Sequence, residues 1–270
     1  MLDLLNFEFM QNAIMAGVLV SIACGVIGTF VVVNRIVFIS GGIAHAAYGG
    51  IGLGYFFGFN PFIGAILFAV LSGLGMGIVE KKTKERSDTI IGTMWAIGMG
   101  IGIILIDLTQ GYKANLMSYL FGSILAVPRQ DLWIMLILDI IIVLMVCLLY
   151  KELLAISFDP IFATTRNIPV NTIYLLLIGS IALTIVMVMQ VVGLIMVIAL
   201  LTIPPAVANQ FVGEIKQMMI LSSILGIIFI LIGLWLSYSF NLTSGATIIV
   251  VSGLTYFLSL AFKYLWGIKN

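Results

Sequence analysis

Apolar runs long enough to cross a bilayer follow one another almost from end to end of this chain, parted only by short connections. Each crossing as helix takes about 20 residues, and no segment is left over that could form a soluble domain. Composition agrees, with 62% hydrophobic and 9% charged residues and a mean hydropathy of +1.26. The chain reads as an all-α polytopic membrane protein, with residues 1–270 forming a single transmembrane domain. The runs place spans at roughly 10–33, 41–57, 61–79, 88–108, 131–150, 172–190, 191–210, 218–238 and 244–264. That makes about nine. Eight is the alternative, because only Gln190 separates the sixth from the seventh and the second is short.

Cytoplasmic connections are enriched in Lys and Arg. With the N-terminus outside and the C-terminus in the cytoplasm, Arg35, Lys81, Lys82, Lys84, Arg86, Lys151, Arg166, Lys216, Lys263 and Lys269 fall inside, and only Lys113 and Arg129 fall outside. The amino end carries Asp3 and Glu8 and lacks a basic n-region, so its first apolar run is expected to stay in the membrane. A net charge of +1 without a basic stripe gives no reason to expect nucleic acid as a partner. Cys24 and Cys147 lie inside spans without metal-type spacing and read as small packing residues.

Two ionisable residues stand out. The only histidine, His45, sits in SGGIAHAAYGGIGLGY (40–55) among six glycines. Glycines let helix backbones approach closely, and an imidazole there is expected to face protein or a cavity rather than lipid. It serves either as a residue satisfied by a backbone carbonyl or as a transient ligand for a borderline metal ion. Asp139 falls about eight residues, roughly 12 Å, into its span, where a carboxylate is costly; it either lines an ion path or packs as a hydrogen-bonded group. Asp88 and Asp131 sit at span starts, where acids favour the positive end of the helix dipole. Met187, Met189 and Met196 crowd adjacent spans; thioethers suit Cu(I), but methionine more often fills gaps between helices.

The longest cytoplasmic connection, KELLAISFDPIFATTRNIPVN (151–171), is amphipathic and reads as a docking surface for a soluble partner. Asp159 and Pro160 form an N-cap and first-turn pair, Ile161, Phe162 and Ala163 offer an apolar face, and Pro169 stops the helix after Asn167. Its plainer use is a surface helix covering the bundle. Pro204, Pro205 and Gly193 interrupt regular helix and serve either as bending points or as a packing kink.

Several segments carry a resemblance: GTFVVVNRIVFISGGIAHA (28–46), DTIIGTMWAIGMG (88–100), LMSYLFGSILAV (116–127), SFDPIFATTRNI (157–168), MQVVGLIMVIALLTIPPAVANQF (189–211) and SGATIIVVSGLTYFL (244–258). Together they cover nearly the whole chain. It resembles the permease subunits of ATP-binding-cassette importers for zinc, manganese and related divalent metals. The resemblance implies a multi-pass protein of the plasma (inner) membrane, working as a homodimer with a cytoplasmic ATPase dimer and an extracytoplasmic metal-binding protein. It also implies no permanently bound cofactor, a transported divalent ion, and ATP held on the partner subunit. Residues 157–168 match the family's coupling helix, which assigns ATPase coupling to Phe158, Asp159, Ala163 and Asn167; Asn167 stands where the family usually has Gly. Asn also accepts the left-handed conformation.

The metal motif departs from the family pattern. An aspartate usually stands one turn before the histidine, and Gly41 occupies that place; a proline usual four residues after it is Gly49. Tyr48 adds a hydroxyl near His45. His45 is therefore the one ligand carried over, and three readings stay open: the path binds metal more weakly, Asp139 supplies the carboxylate from another helix, or the cargo is other than zinc or manganese. The chain has no GxxxxGK[ST] loop, so it is expected to be no enzyme and to leave ATP hydrolysis to its partner. The alternative is a proton-coupled secondary transporter using Asp139 and His45; a membrane enzyme finds little support.

Overall fold

The computed structural model describes residues 7–82, 87–109, 122–194 and 197–266. Eleven α-helices occupy them: α1 (Glu8–Val33), α2 (Val37–Phe57), α3 (Pro61–Lys82), α4 (Ser87–Leu108), α5 (Arg129–Leu148), α6 (Tyr150–Phe158), α7 (Pro160–Thr165), α8 (Val170–Val192), α9 (Val197–Ala208), α10 (Ile215–Phe240) and α11 (Ser244–Trp266). One 3₁₀ turn, Ile124–Ala126, precedes α5. Among the described residues, eight helices are long and apolar enough to cross a membrane.

The seventh expected span is the one that differs. Residues 191–210 do not form one helix: α8 runs on to Val192, and Gly193 then turns left-handed at φ 80°. The next helix, α9, is only 12 residues and about 18 Å long, short of a hydrocarbon core. The break falls at Gly193, whereas Pro204 and Pro205 sit inside continuous helix. Each proline removes a donor from the ladder, which strips Leu200 and Leu201 of their usual partners. Gly28 of α1 packs directly on the Leu201 carbonyl, where a Cβ would overlap it.

The chain divides into two compact units. One comprises residues 1–35, 117–144 and 187–270. Here α1 packs along α10 and α9, with Gly25 against the Ser223 backbone and Gly226 against Ser21, and α10 meets α11 at Gly233 and Ile248. Met187 and Met189 are buried in it and behave as filler; Met196 lies outside the described residues.

The other unit comprises residues 36–116 and 145–186. Its centre is α2, lodged between α3 and α4. Gly50 and Gly64 place two backbones in contact, so that a Cβ on either would strike the other's carbonyl, and Gly102 of α4 sits on the Tyr48 carbonyl in the same way. Close approach of this kind substitutes dispersion and backbone dipole contacts for the hydrophobic drive that lipid does not supply. Gly58 ends α2 left-handed at φ 74°, and the Asn60 side chain caps Phe62 N at 2.9 Å with Pro61 as the first helical residue, so α3 begins three residues later.

Candidate functional site

His45 lies two turns into α2, in the wedge between α3 and α4. From Ile39 to Gly52 every residue is buried except His45, which is partly accessible. The Gly41 carbonyl, one turn back, lies 2.9 Å from its Nδ1. A carbonyl only accepts, so Nδ1 carries the proton and the Nε2 lone pair is left as the ligand atom. The indole of Trp95 on α4 covers the ring, with centroids 4.0 Å apart and planes inclined by 36°. One of the two roles open to His45 from sequence, an imidazole satisfied by a backbone carbonyl, is thus met at Nδ1.

Trp95 is the residue that sequence reasoning missed. It stands inside the matched segment 88–100, yet an aromatic on an apolar helix carries no signal that separates a wall of a site from a lipid-facing side chain. Tyr48 moves the other way. Expected beside His45 as a hydroxyl donor to the path, it is 2% exposed, packed in the core of its unit with its backbone against Gly102.

Asp139 on α5 belongs to the other unit. It is 3% exposed, and its Oδ1 has no hydrogen-bond partner. Cys24, buried on α1, lies within electrostatic reach of it, whereas Cys147 is exposed on the apolar surface of α5. Among the described residues no three His, Cys, Asp or Glu side chains come together as a metal cage.

The connection expected to dock a partner forms two short helices. Asp159 caps α7 by accepting from Phe162 N at 2.9 Å, and Pro160 occupies the first position, as the sequence required. Asn167 is left-handed at φ 58°, and Ile168 N donates back to Ala163 O at 3.1 Å to close the helix. The apolar face differs from the expected one. Ala163 is fully buried, whereas Phe158 at 69%, Ile161 at 79% and the exposed Phe162 point outward. The outward surface is therefore Phe158–Ile161–Phe162, with the Arg166 guanidinium 5.4 Å from the Phe162 ring.

Comparison with known proteins places this arrangement. The model of the ABC 3 transport family matches residues 6–263. The uncharacterized membrane protein slr2045 of Synechocystis is 64% identical over 263 residues, covering 97% of this chain and 94% of that one. The manganese transport system membrane protein MntC of Listeria monocytogenes is 36% identical over 259 residues, covering 96% and 92%. In three dimensions the chain superposes on a structure titled PsaBC from Streptococcus pneumoniae in complex with Fab, with TM-score 0.87, 33% identity and coverage of 96% and 93%. A proton-coupled secondary transporter and a membrane enzyme both lose their support here. From its amino-terminal helix to its last one, the chain belongs to the ABC 3 transport family, as a multi-pass membrane permease.

Proposed function

We propose that the chain is the permease subunit of an ATP-driven importer of a divalent metal ion, with manganese as the cargo and zinc as the competitor to test against it. The observation that carries this reading is the family match over residues 6–263 together with relatives named for manganese transport, MntC in Listeria and ScaB in Streptococcus gordonii. A second copy of the chain, a cytoplasmic ATPase dimer and an extracytoplasmic metal-binding protein complete the importer. Exposed Phe158, Ile161 and Phe162 on a capped, connection-borne helix support docking of the ATPase at α7. Counted over the connections before α8, which the loss of the seventh span leaves unchanged, Arg35, Lys81, Lys82, Lys84, Arg86, Lys151 and Arg166 against Lys113 and Arg129 support a cytoplasmic position for that helix.

Imported metal passes His45, whose Nε2 is presented at fixed tilt by Gly41 O and Trp95. A single imidazole is a weak hold for a hard ion that prefers oxygen ligands. Weakness suits a conduit, since conduction requires release as well as binding. ATP binding and hydrolysis on the partner shift α7, which switches the path between outward-open and inward-open states. Asp139 is kept as a second candidate ligand, reached from a different helix.

The test is uptake of radiolabelled manganese by cells or proteoliposomes that hold the chain with its ATPase and binding protein. Uptake is expected to stop on ATP depletion, to survive an uncoupler, and to be displaced by zinc only weakly. Uptake driven by the proton gradient instead would overturn the proposal.

A further inference from the structure

A polar cluster lies immediately beyond the docking helix and takes no part in the His45 site. Pro169 ends the connection and α8 begins at Val170. Asn171 and Tyr174, three residues apart and hence on one face of its first turns, both engage the last turn of α3. Lys81 Nζ donates to Asn171 Oδ1 at 2.8 Å and lies 4.4 Å from the centroid of the Tyr174 ring. The Tyr174 hydroxyl donates to the Glu80 carboxylate. Lys82, next in sequence, is exposed and has no such contact among the described residues.

The packing beneath the cluster is continuous. Tyr174, Leu175 and Ile178 of α8 face Gly77 and Gly73 of α3, and Gly73 touches Ile43 of α2, two residues before His45. All of these groups lie within one compact unit. An apolar helix contact can slide at small cost, because one methyl group replaces another. A hydrogen bond, a cation over a ring and a carboxylate acceptor together fix register, since a slip of even one residue would break all three contacts at once.

We propose that the Glu80–Lys81–Asn171–Tyr174 clamp is the linkage that passes displacement of the docking helix to α3 and through it to the helix that carries His45. The proposal rests on the ATP-driven importer reading. In it, Tyr174 and Lys81 are positioning residues that act through α3. Cutting the clamp should separate hydrolysis from transport, an effect that a staple needed only for folding would not produce.

The experiment uses the full complex of permease, ATPase and binding protein in proteoliposomes and reads manganese uptake per ATP hydrolysed. Tyr174→Phe keeps the ring and its packing but removes the hydroxyl. It should leave assembly and hydrolysis within about twofold of wild type and lower uptake per ATP by roughly tenfold. Glu80→Gln keeps an acceptor for the hydroxyl and should stay near wild type, whereas Glu80→Ala should behave like Tyr174→Phe. Unchanged uptake per ATP in Tyr174→Phe and Glu80→Ala would overturn the linkage, and so would a loss that tracks the amount of assembled complex. A wild-type complex without ATP-dependent manganese uptake would instead sink the importer reading, and the linkage with it.

Discussion

Two helices of this permease carry an ionisable side chain well inside an apolar run, and they treat it in opposite ways. On α2, His45 is partly accessible, its Nδ1 is spoken for and its Nε2 is aimed by two neighbours. On α5, Asp139 is almost fully enclosed, with Oδ1 lacking any partner. The helix around His45 is buried on nearly every side, while much of α5 faces outward. A transient ligand needs a free lone pair, a fixed orientation and access, and at His45 the structure supplies the orientation and partial access. Asp139, with its Oδ1 unmet, lacks comparable access in this conformation. The contrast makes His45 the primary candidate and assigns Asp139 a role only if another state opens it.

The sharpest way to break that contrast is to substitute both positions and measure manganese uptake. His45→Ala is expected to reduce uptake at least about tenfold while the complex with the ATPase still assembles, in keeping with the loss of one first-contact ligand. Asp139→Asn should cost less. Asp139→Leu is the discriminating partner: removing an unmet buried acceptor relieves a penalty of about 1–3 kcal/mol, so a packing role predicts equal or higher thermal stability with uptake intact. Uptake lost in Asp139→Leu with stability retained would put Asp139 in the path and erase the distinction.

Next in size comes the docking face. Ile161→Asp should abolish co-purification of the ATPase, because it sets a charge in the centre of the exposed apolar patch. Ala163→Asp tests something else. Its side chain points inward, so the expected result is a misfolded connection, seen as increased protease cutting near residues 158–168. Retained ATPase pull-down with Ile161→Asp would refute docking at α7.

A smaller effect is expected from Gly41→Asp, which restores a carboxylate one turn before the histidine. Manganese should dwell longer, so equilibrium retention by the detergent-solubilised complex should rise several-fold while turnover falls, as tighter binding slows release. Faster turnover would argue that Gly41 limits the ion's approach rather than its hold. Smallest is Trp95→Phe, which keeps a ring over the imidazole and should change uptake less than about threefold, against a larger fall for Trp95→Ala.

Much of the fold was legible because a bilayer imposes one length scale on every helix, and the apolar runs record it. Residues 191–210 escaped because the run beyond Gln190 is apolar enough to read as a further crossing, and nothing in its hydropathy distinguishes that from a turn and a shorter helix. The left-handed turn at Gly193 decides that, and hydropathy does not see backbone dihedrals. The cap at Asp159–Pro160 was readable since it obeys local chemistry. The inward turn of Ala163 was not, because a helix of six residues is too short for periodicity to fix its faces. His45 stood out as the lone histidine, while Trp95 and the Glu80–Lys81–Asn171–Tyr174 cluster depend on neighbours up to 94 residues distant in the chain.

The seam between Gly50 and Gly64 has a consequence for how such a chain can change over generations. Every amino acid other than glycine brings a Cβ, and at either position that atom would land on the opposite backbone. No single-base change in either codon can therefore alter the residue without parting the two helices, and a change in one position gives the other no room to compensate. Residues without so close a neighbour can change one at a time, but the spacing of these two helices has no gradual route to a different value.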